Sequence, residues 1–153
     1  IALGDKERKN MSVLRADVTP ENLNRDSRES LPGFLGVEML ELRQGVMRSR
    51  MAIRPLHGAI NGFLHAGSVV TLADTTCGNA TIAHLPAGAG SFTTIELKSN
   101  HLGTVRDGAV ACTATAQHLG RTTQVWDAVV TDEATGKTIA LFRCTQMILW
   151  PKA

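Results

Sequence analysis

Three features of this sequence predict an α+β domain in which several long strands wrap around one apolar helix. Between 66 and 83, apolar residues lie nearly all round a helical period, which marks a buried helix rather than one set on a surface. Two segments before it read as a strand hairpin and four after it read as long strands. No internal repeat or low-complexity linker divides the 153 residues, a length that suits one domain or one subunit of an oligomer. A helix of this kind is buried by packing on one sheet face, so both layers belong to one core.

The elements follow in order. Residues 1–18 are polar, carry no sustained period, and are expected to form an N-terminal tail or a weak helix. The domain is expected over 19–153. Thr19-Pro20-Glu21-Asn22 is a helix start, with Thr19 as cap and Pro20 in the first turn. That helix should end by Pro32-Gly33. Val37 to Leu42, Gln44-Gly45 and Val46 to Ile53 read as strand, glycine turn and strand. Pro55 to Phe63 is a loop, and the buried helix runs from Ala66 to Ala83. After Pro86-Ala87-Gly88-Ala89-Gly90, strands are expected at Phe92 to Leu102, Ala109 to Gln117, Thr122 to Thr131 and Thr138 to Leu149. The third-from-last of these alternates, with Val110, Cys112, Ala114 and Ala116 on one face.

Composition excludes several classes. Sixteen basic against 14 acidic side chains give no electrostatic case for nucleic acid or an anionic membrane as a partner. No apolar run approaches the roughly 20 residues needed to span a bilayer. The first residues lack the apolar core of a secretory leader, so a cytoplasmic location is expected. Cys77, Cys112 and Cys144 are odd in number and irregularly spaced, which argues for buried reduced thiols against a disulfide framework or a zinc site. His57, His84, His101 and His118 show no metal-ligand spacing and read as surface or turn residues, so no metal is predicted. Trp126 and Trp150 read as core or interface anchors.

The chemistry concentrates in Gly62-Phe63-Leu64-His65-Ala66-Gly67, which opens the helix, and Asp74 two turns inside it. A helix N-terminus presents unpaired N–H groups and partial positive charge. Ala66 and Gly67 are small enough to leave that end open to a ligand atom. A carbonyl oxygen seated there would be polarised as it gains negative charge. Asp74 has Val69, Val70, Leu72, Ala73 and Cys77 around it, and an unpaired carboxylate in such surroundings is costly unless its pKa rises. It acts in chemistry, or it is a structural acid capped by Thr71, Thr75 or a partner chain. His65 either sets the helix entry or takes part in catalysis. Asp74 lies about 12 Å from Ala66 at 1.5 Å per residue, too far for both to act on one atom. If both act on a single carbonyl, a second copy must supply one of them.

Gly62-x-x-His65-x-Gly67 with Leu72-Ala73-Asp74 resembles the signature of the hotdog-fold acyl-CoA thioesterases of the phenylacetic-acid-degradation type, in the 4-hydroxybenzoyl-CoA thioesterase superfamily. Leu35-Gly36, Thr94-x-Glu96-Leu97-Lys98-x-Asn100 with Asp107-Gly108, His118-x-Gly120-Arg121-Thr122 and Thr135-Gly136-Lys137-x-Ile139-Ala140 match the same family in order, over about Leu31 to Leu149. The resemblance implies an antiparallel sheet curled around the helix, and homodimers with continuous sheets, often paired into homotetramers. It implies hydrolysis of an acyl-CoA, with CoA carried as part of the substrate and no separate cofactor. Asp74 would be nucleophile or general base, the Ala66 N–H the oxyanion site, and Thr94 a hydroxyl near the attacking water. Gly120, Arg121 and Thr122 would lie near the CoA phosphate arm. Two positions depart from the family pattern. Ala66 stands where glycine is usual, though only the N–H is required there. Ala59 stands where many relatives carry asparagine, so Asn61 reaches that place from a rearranged loop or the role is unfilled. The rival readings on the same fold are a non-catalytic acyl-CoA-binding module and a hydratase or dehydratase.

Overall fold

A computed structural model describes residues 12–152. The elements are α1 (Pro20–Asp26), α2 (Leu31–Leu35), β1 (Val37–Arg43), β2 (Val46–Ala52), a 3₁₀ turn (Pro55–His57), α3 (Ala66–Ala83), β3 (Ser91–His101), β4 (Ala109–Leu119), β5 (Thr123–Asp132) and β6 (Thr138–Leu149). The strands form one six-stranded sheet in the order β1-β2-β4-β5-β6-β3, and every neighbouring pair is antiparallel. This is the hotdog fold: α3 lies across one face and the sheet curls around it. No helix among the described residues is long and apolar enough to cross a membrane.

The first helix is shorter than the sequence suggests. Thr19 caps α1 as expected, exchanging hydrogen bonds with Asn22 in a capping box. The helix then stops at Asp26 rather than running to Pro32-Gly33. Ser27 closes it by donating its hydroxyl to the Leu23 carbonyl, and Pro32 opens a separate short helix, α2. The two helices fold back closely: a Cβ on Gly33 would meet the Ser27 carbonyl oxygen. Of the predicted tail, residues 1–11 lie outside the described residues. Leu14 and Arg15 donate backbone N–H groups to the Gln44 side chain and the Ala83 carbonyl.

The core forms where inward strand residues meet α3. Met47, Met51, Val110, Cys112, Ala114, Trp126, Val130, Ala140 and Cys144 close over Val69, Leu72, Ala73, Cys77 and Ala80. The alternation expected of β4 holds through Ala114. It weakens at Ala116, where the pairing with β5 shifts register. All three cysteines are buried and unbridged.

Two of the histidines read as surface or turn residues do stand in turns, but both are fully buried. His84 caps the C-terminus of α3. Its Nδ1–H donates to the Ala80 carbonyl, and Nε2 accepts from the Gly45 N–H. Its ring lies 5.3 Å from that of Trp126. His57 is likewise held at both ring nitrogens. Burial depresses both pKa values, because the charged ring would lose its hydration. His101 and His118 are exposed, as expected.

Thr76 contacts Ser49 in the middle of β2, and His84 reaches Gly45 just before its start. Helix α3 therefore runs antiparallel to β2 and, through four antiparallel pairings, antiparallel to β3. Strand β3 sits at the sheet edge, paired on one side only among the described residues.

Candidate active site

The start of α3 is built by a closed loop. Gly58 and Leu64 bridge, the Ala59 N–H donates to the Phe63 carbonyl, and Gly62 takes a left-handed conformation at φ 79°. His65 is the N-cap. Its Nδ1 accepts the Gly67 N–H at 2.8 Å, and its carbonyl accepts from Ser68 and Val69. A Cβ on Gly67 would lie only 3.0 Å from that Nδ1, so a glycine lets the ring come this close. His65 thus sets the helix entry, one of the two roles its position suggested. The accounting leaves one donor over. Among the described residues, the exposed Ala66 N–H has no partner, at the positive end of an 18-residue helix. Asn61 spends its Oδ1 on the Phe63 N–H, stabilising the loop apex beside this end.

Asp74 is half-buried. Its Oδ1 is fully buried and has no hydrogen-bond partner. The Thr71 hydroxyl, a candidate cap, instead donates to the Gly67 carbonyl. Burial pushes the Asp74 pKa above the ordinary carboxylate range.

Thr94 lies opposite Gln146 on the inward face of β3. The neighbouring inward residue, Phe92, packs over Gly78, with its ring 3.1 Å from where a Cβ would stand. Two residues along β3 from Phe92 is about 6.6 Å and leads to Thr94. One turn back along the antiparallel helix from Gly78 is about 6 Å and leads to Asp74. Asp74 and Thr94 therefore stand at one level near the open sheet edge.

Gly120, Arg121 and Thr122 lie beyond the other end of the helix. The Arg121 guanidinium stacks 4.7 Å over the Trp150 ring, whose Nε1–H donates to the Arg121 carbonyl. Both residues line a cleft of about 830 Å³ with the 85–89 loop. One protomer thus arranges the predicted residues as three groups along α3, a helix about 27 Å long: His65, Ala66, Gly67 and nearby Asn61 at its start, Asp74 with Thr94 midway, and the Gly120 turn past its end. Sequence reasoning missed a second cleft, about 410 Å³, beside the helix start. Arg54 and Arg106 line it, and the Arg106 guanidinium lies 5.2 Å over Phe63. Nothing local in the sequence joins Arg106 to Phe63 or Arg54.

A hotdog sheet wrapped around one buried helix defines a class of fold, and comparison with known proteins agrees. The chain belongs to the Thioesterase superfamily, whose family profile matches residues 61–139. It is 31% identical to a 1,4-dihydroxy-2-naphthoyl-CoA hydrolase of Listeria monocytogenes, over 72% of this chain and 89% of that one. It is 29% identical to a proofreading thioesterase of Cronobacter turicensis, over 79% of this chain and 88% of that one. A solved thioesterase of Pseudomonas aeruginosa superposes with a TM-score of 0.84 at 29% identity, covering 90% of this chain and 99% of that one. A protein of the Escherichia coli phenylacetic acid degradation operon shares the fold, with a TM-score of 0.73 at 21% identity.

Proposed function

We propose that this protein hydrolyses an acyl-CoA thioester to the free acid and CoA, at a site assembled from two subunits. The observation that carries this reading is the pairing of two unsatisfied groups on one helix: the Ala66 N–H and the Asp74 carboxylate, about 12 Å apart by helical rise. The thioester carbonyl oxygen sits on the Ala66 N–H of one subunit, which stabilises it as negative charge develops. Asp74 of the other subunit takes a proton from water, which adds to the carbonyl carbon; the C–S bond breaks and the thiolate leaves. The raised Asp74 pKa favours this general-base role, since a more basic carboxylate draws the proton more strongly. Thr94, level with Asp74, orients the water. CoA suits the site because its thiolate departs with little acid assistance, and the naphthoyl-CoA hydrolase among the relatives supports a CoA ester. The unpaired edge of β3 is where the second copy adds, giving a dimer with continuous sheets.

The test is a panel of aromatic, short aliphatic and medium-chain acyl-CoAs, assayed by free-thiol release. Turnover of at least one class is expected. Mixing Asp74→Asn subunits with Ala66→Pro subunits should restore part of the activity that each lacks alone. A fully active monomer by light scattering would refute the two-subunit site. Binding of acyl-CoA without turnover would favour the non-catalytic module.

A further inference from the structure

We propose that His57 is a positioning residue for the oxyanion site: its locked ring fixes the main-chain carbonyl that orients the turn carrying the Ala66 N–H. This rests on the thioesterase reading for its catalytic consequence, but not for its geometry. The loop that opens α3 begins and ends on two residues joined by a hydrogen bond, because the His57 carbonyl accepts the His65 N–H at 2.9 Å. The same carbonyl accepts the Ser68 hydroxyl at 3.0 Å. The residues on both sides of Ala66–Gly67 are therefore tied to one oxygen atom.

The residue that carries this oxygen is anchored in turn through its ring. His57 Nδ1 accepts the Arg54 N–H at 2.9 Å, and Nε2–H donates to the Leu35 carbonyl at 2.9 Å. Leu35 is the last residue of α2, whose end is pinned a second time by the Arg54 guanidinium on the Phe34 carbonyl at 2.6 Å. The ring itself is fully buried, which shields its side of both bonds from water. A chain of contacts thus runs from the α2 terminus through the imidazole to the His57 carbonyl and on to the first turn of α3. The free N–H of Ala66 is aimed by the turn that this chain holds. An oxyanion donor gains its effect from being fixed beforehand, and a misplacement near 1 Å can cost about 100-fold in rate.

The experiment uses His57→Asn, which keeps an acceptor toward Arg54 but loses the link to Leu35, and Ser68→Ala, which removes one donor from the His57 carbonyl. Both are measured by site-resolved amide hydrogen exchange and by acyl-CoA hydrolysis. The His65 amide should exchange at least about tenfold faster in His57→Asn, while the Leu72 and Cys77 amides keep their protection. On any acyl-CoA the wild type hydrolyses, both variants should lose about tenfold or more in kcat with KM within about twofold. The double variant should be no slower than His57→Asn alone, because both act through one carbonyl. Unchanged His65 exchange, or unchanged kcat in folded variants, overturns the proposal, as does full additivity in the double variant. If His57→Asn does not fold, Ser68→Ala decides by the same readouts. If the wild type turns over no acyl-CoA, the thioesterase reading fails, and His65 exchange still decides the clamp.

Discussion

Replacing Ala66 with proline tests the oxyanion assignment with little disturbance of the fold. Ala66 is the first residue of α3, where the N–H lacks an intrahelical partner and proline is favoured. The preceding residue is already suited to it: His65 has φ −66° and ψ 134°, within the extended region a following proline requires. The substitution therefore removes one N–H that bonds to nothing among the described residues, and puts a ring carbon where the carbonyl oxygen would sit. No hydrogen bond of the helix is lost, so the melting temperature should move by no more than a few degrees, as for a change of about 1 kcal/mol or less. Loss of one oxyanion donor costs about 100- to 1,000-fold in kcat, or about 2.7–4 kcal/mol of transition-state stabilisation. Ala66→Gly keeps the N–H and should retain activity within about threefold. The assay is free-thiol release at saturating acyl-CoA, alongside a thermal melt of each variant. A folded Ala66→Pro enzyme with wild-type kcat would show that the carbonyl is polarised elsewhere.

Asp74→Asn should lower kcat at least about 100-fold and raise the melting temperature at pH 7. The sign follows from linkage. The folded-state pKa is raised above the ordinary 3.8, so the charged group destabilises the fold above its folded pKa, and that penalty disappears below about pH 4. The stabilisation by asparagine should fade over the same window; a variant less stable at pH 7 would contradict the unpaired carboxylate. Arg121→Glu should raise KM for acyl-CoA about tenfold with kcat spared, and should barely affect an acyl-pantetheine substrate that lacks the nucleotide phosphates. Equal losses on both substrates would move the nucleotide away from Arg121. The buried rings of His57 and His84 both have pKa values below the ordinary 6.5. The unfolded chain then binds protons more readily, so stability should fall as pH drops below about 6.5. Melting curves at pH 7 and pH 5 check this.

The fold was legible in the sequence wherever one residue pattern controls one element. The strand alternation of Val110, Cys112 and Ala114 survives because each of these side chains meets the helix, and the all-round apolar character of 66–83 matches a helix buried against the sheet. The errors fall where tertiary contact overrides local signals. Nothing near Asp26 announces that Ser27 will close α1, since the stop depends on the fold-back against Gly33. His57 and His84 looked like turn residues because they stand in turns. What buries them is distant in sequence: the end of α2 for His57, and the Gly45 turn with Trp126 for His84.

The site was legible to a different depth. Helix rise is fixed by backbone geometry, so the separation of Ala66 from Asp74 follows from the sequence alone, and with it the expectation of a second copy if both act on one carbonyl. Which N–H remains free could not be calculated, because it depends on how every neighbouring donor is spent. His65 uses its ring on Gly67 and its carbonyl on Ser68 and Val69, and His57 takes the His65 N–H. Only after those bonds are assigned does Ala66 stand alone. The same accounting weakens the structural reading of Asp74, because the Thr71 hydroxyl that could have capped it is committed to the Gly67 carbonyl. The Ala66 N–H is exposed and open to a ligand, whereas the Asp74 oxygen is buried, so it is the unpartnered carboxylate that is costly to retain. On the two-subunit reading, an acyl-CoA bridges the Ala66 N–H of one subunit and Asp74 of the other, and β3, one of the two edge strands of the sheet, is where the copies meet.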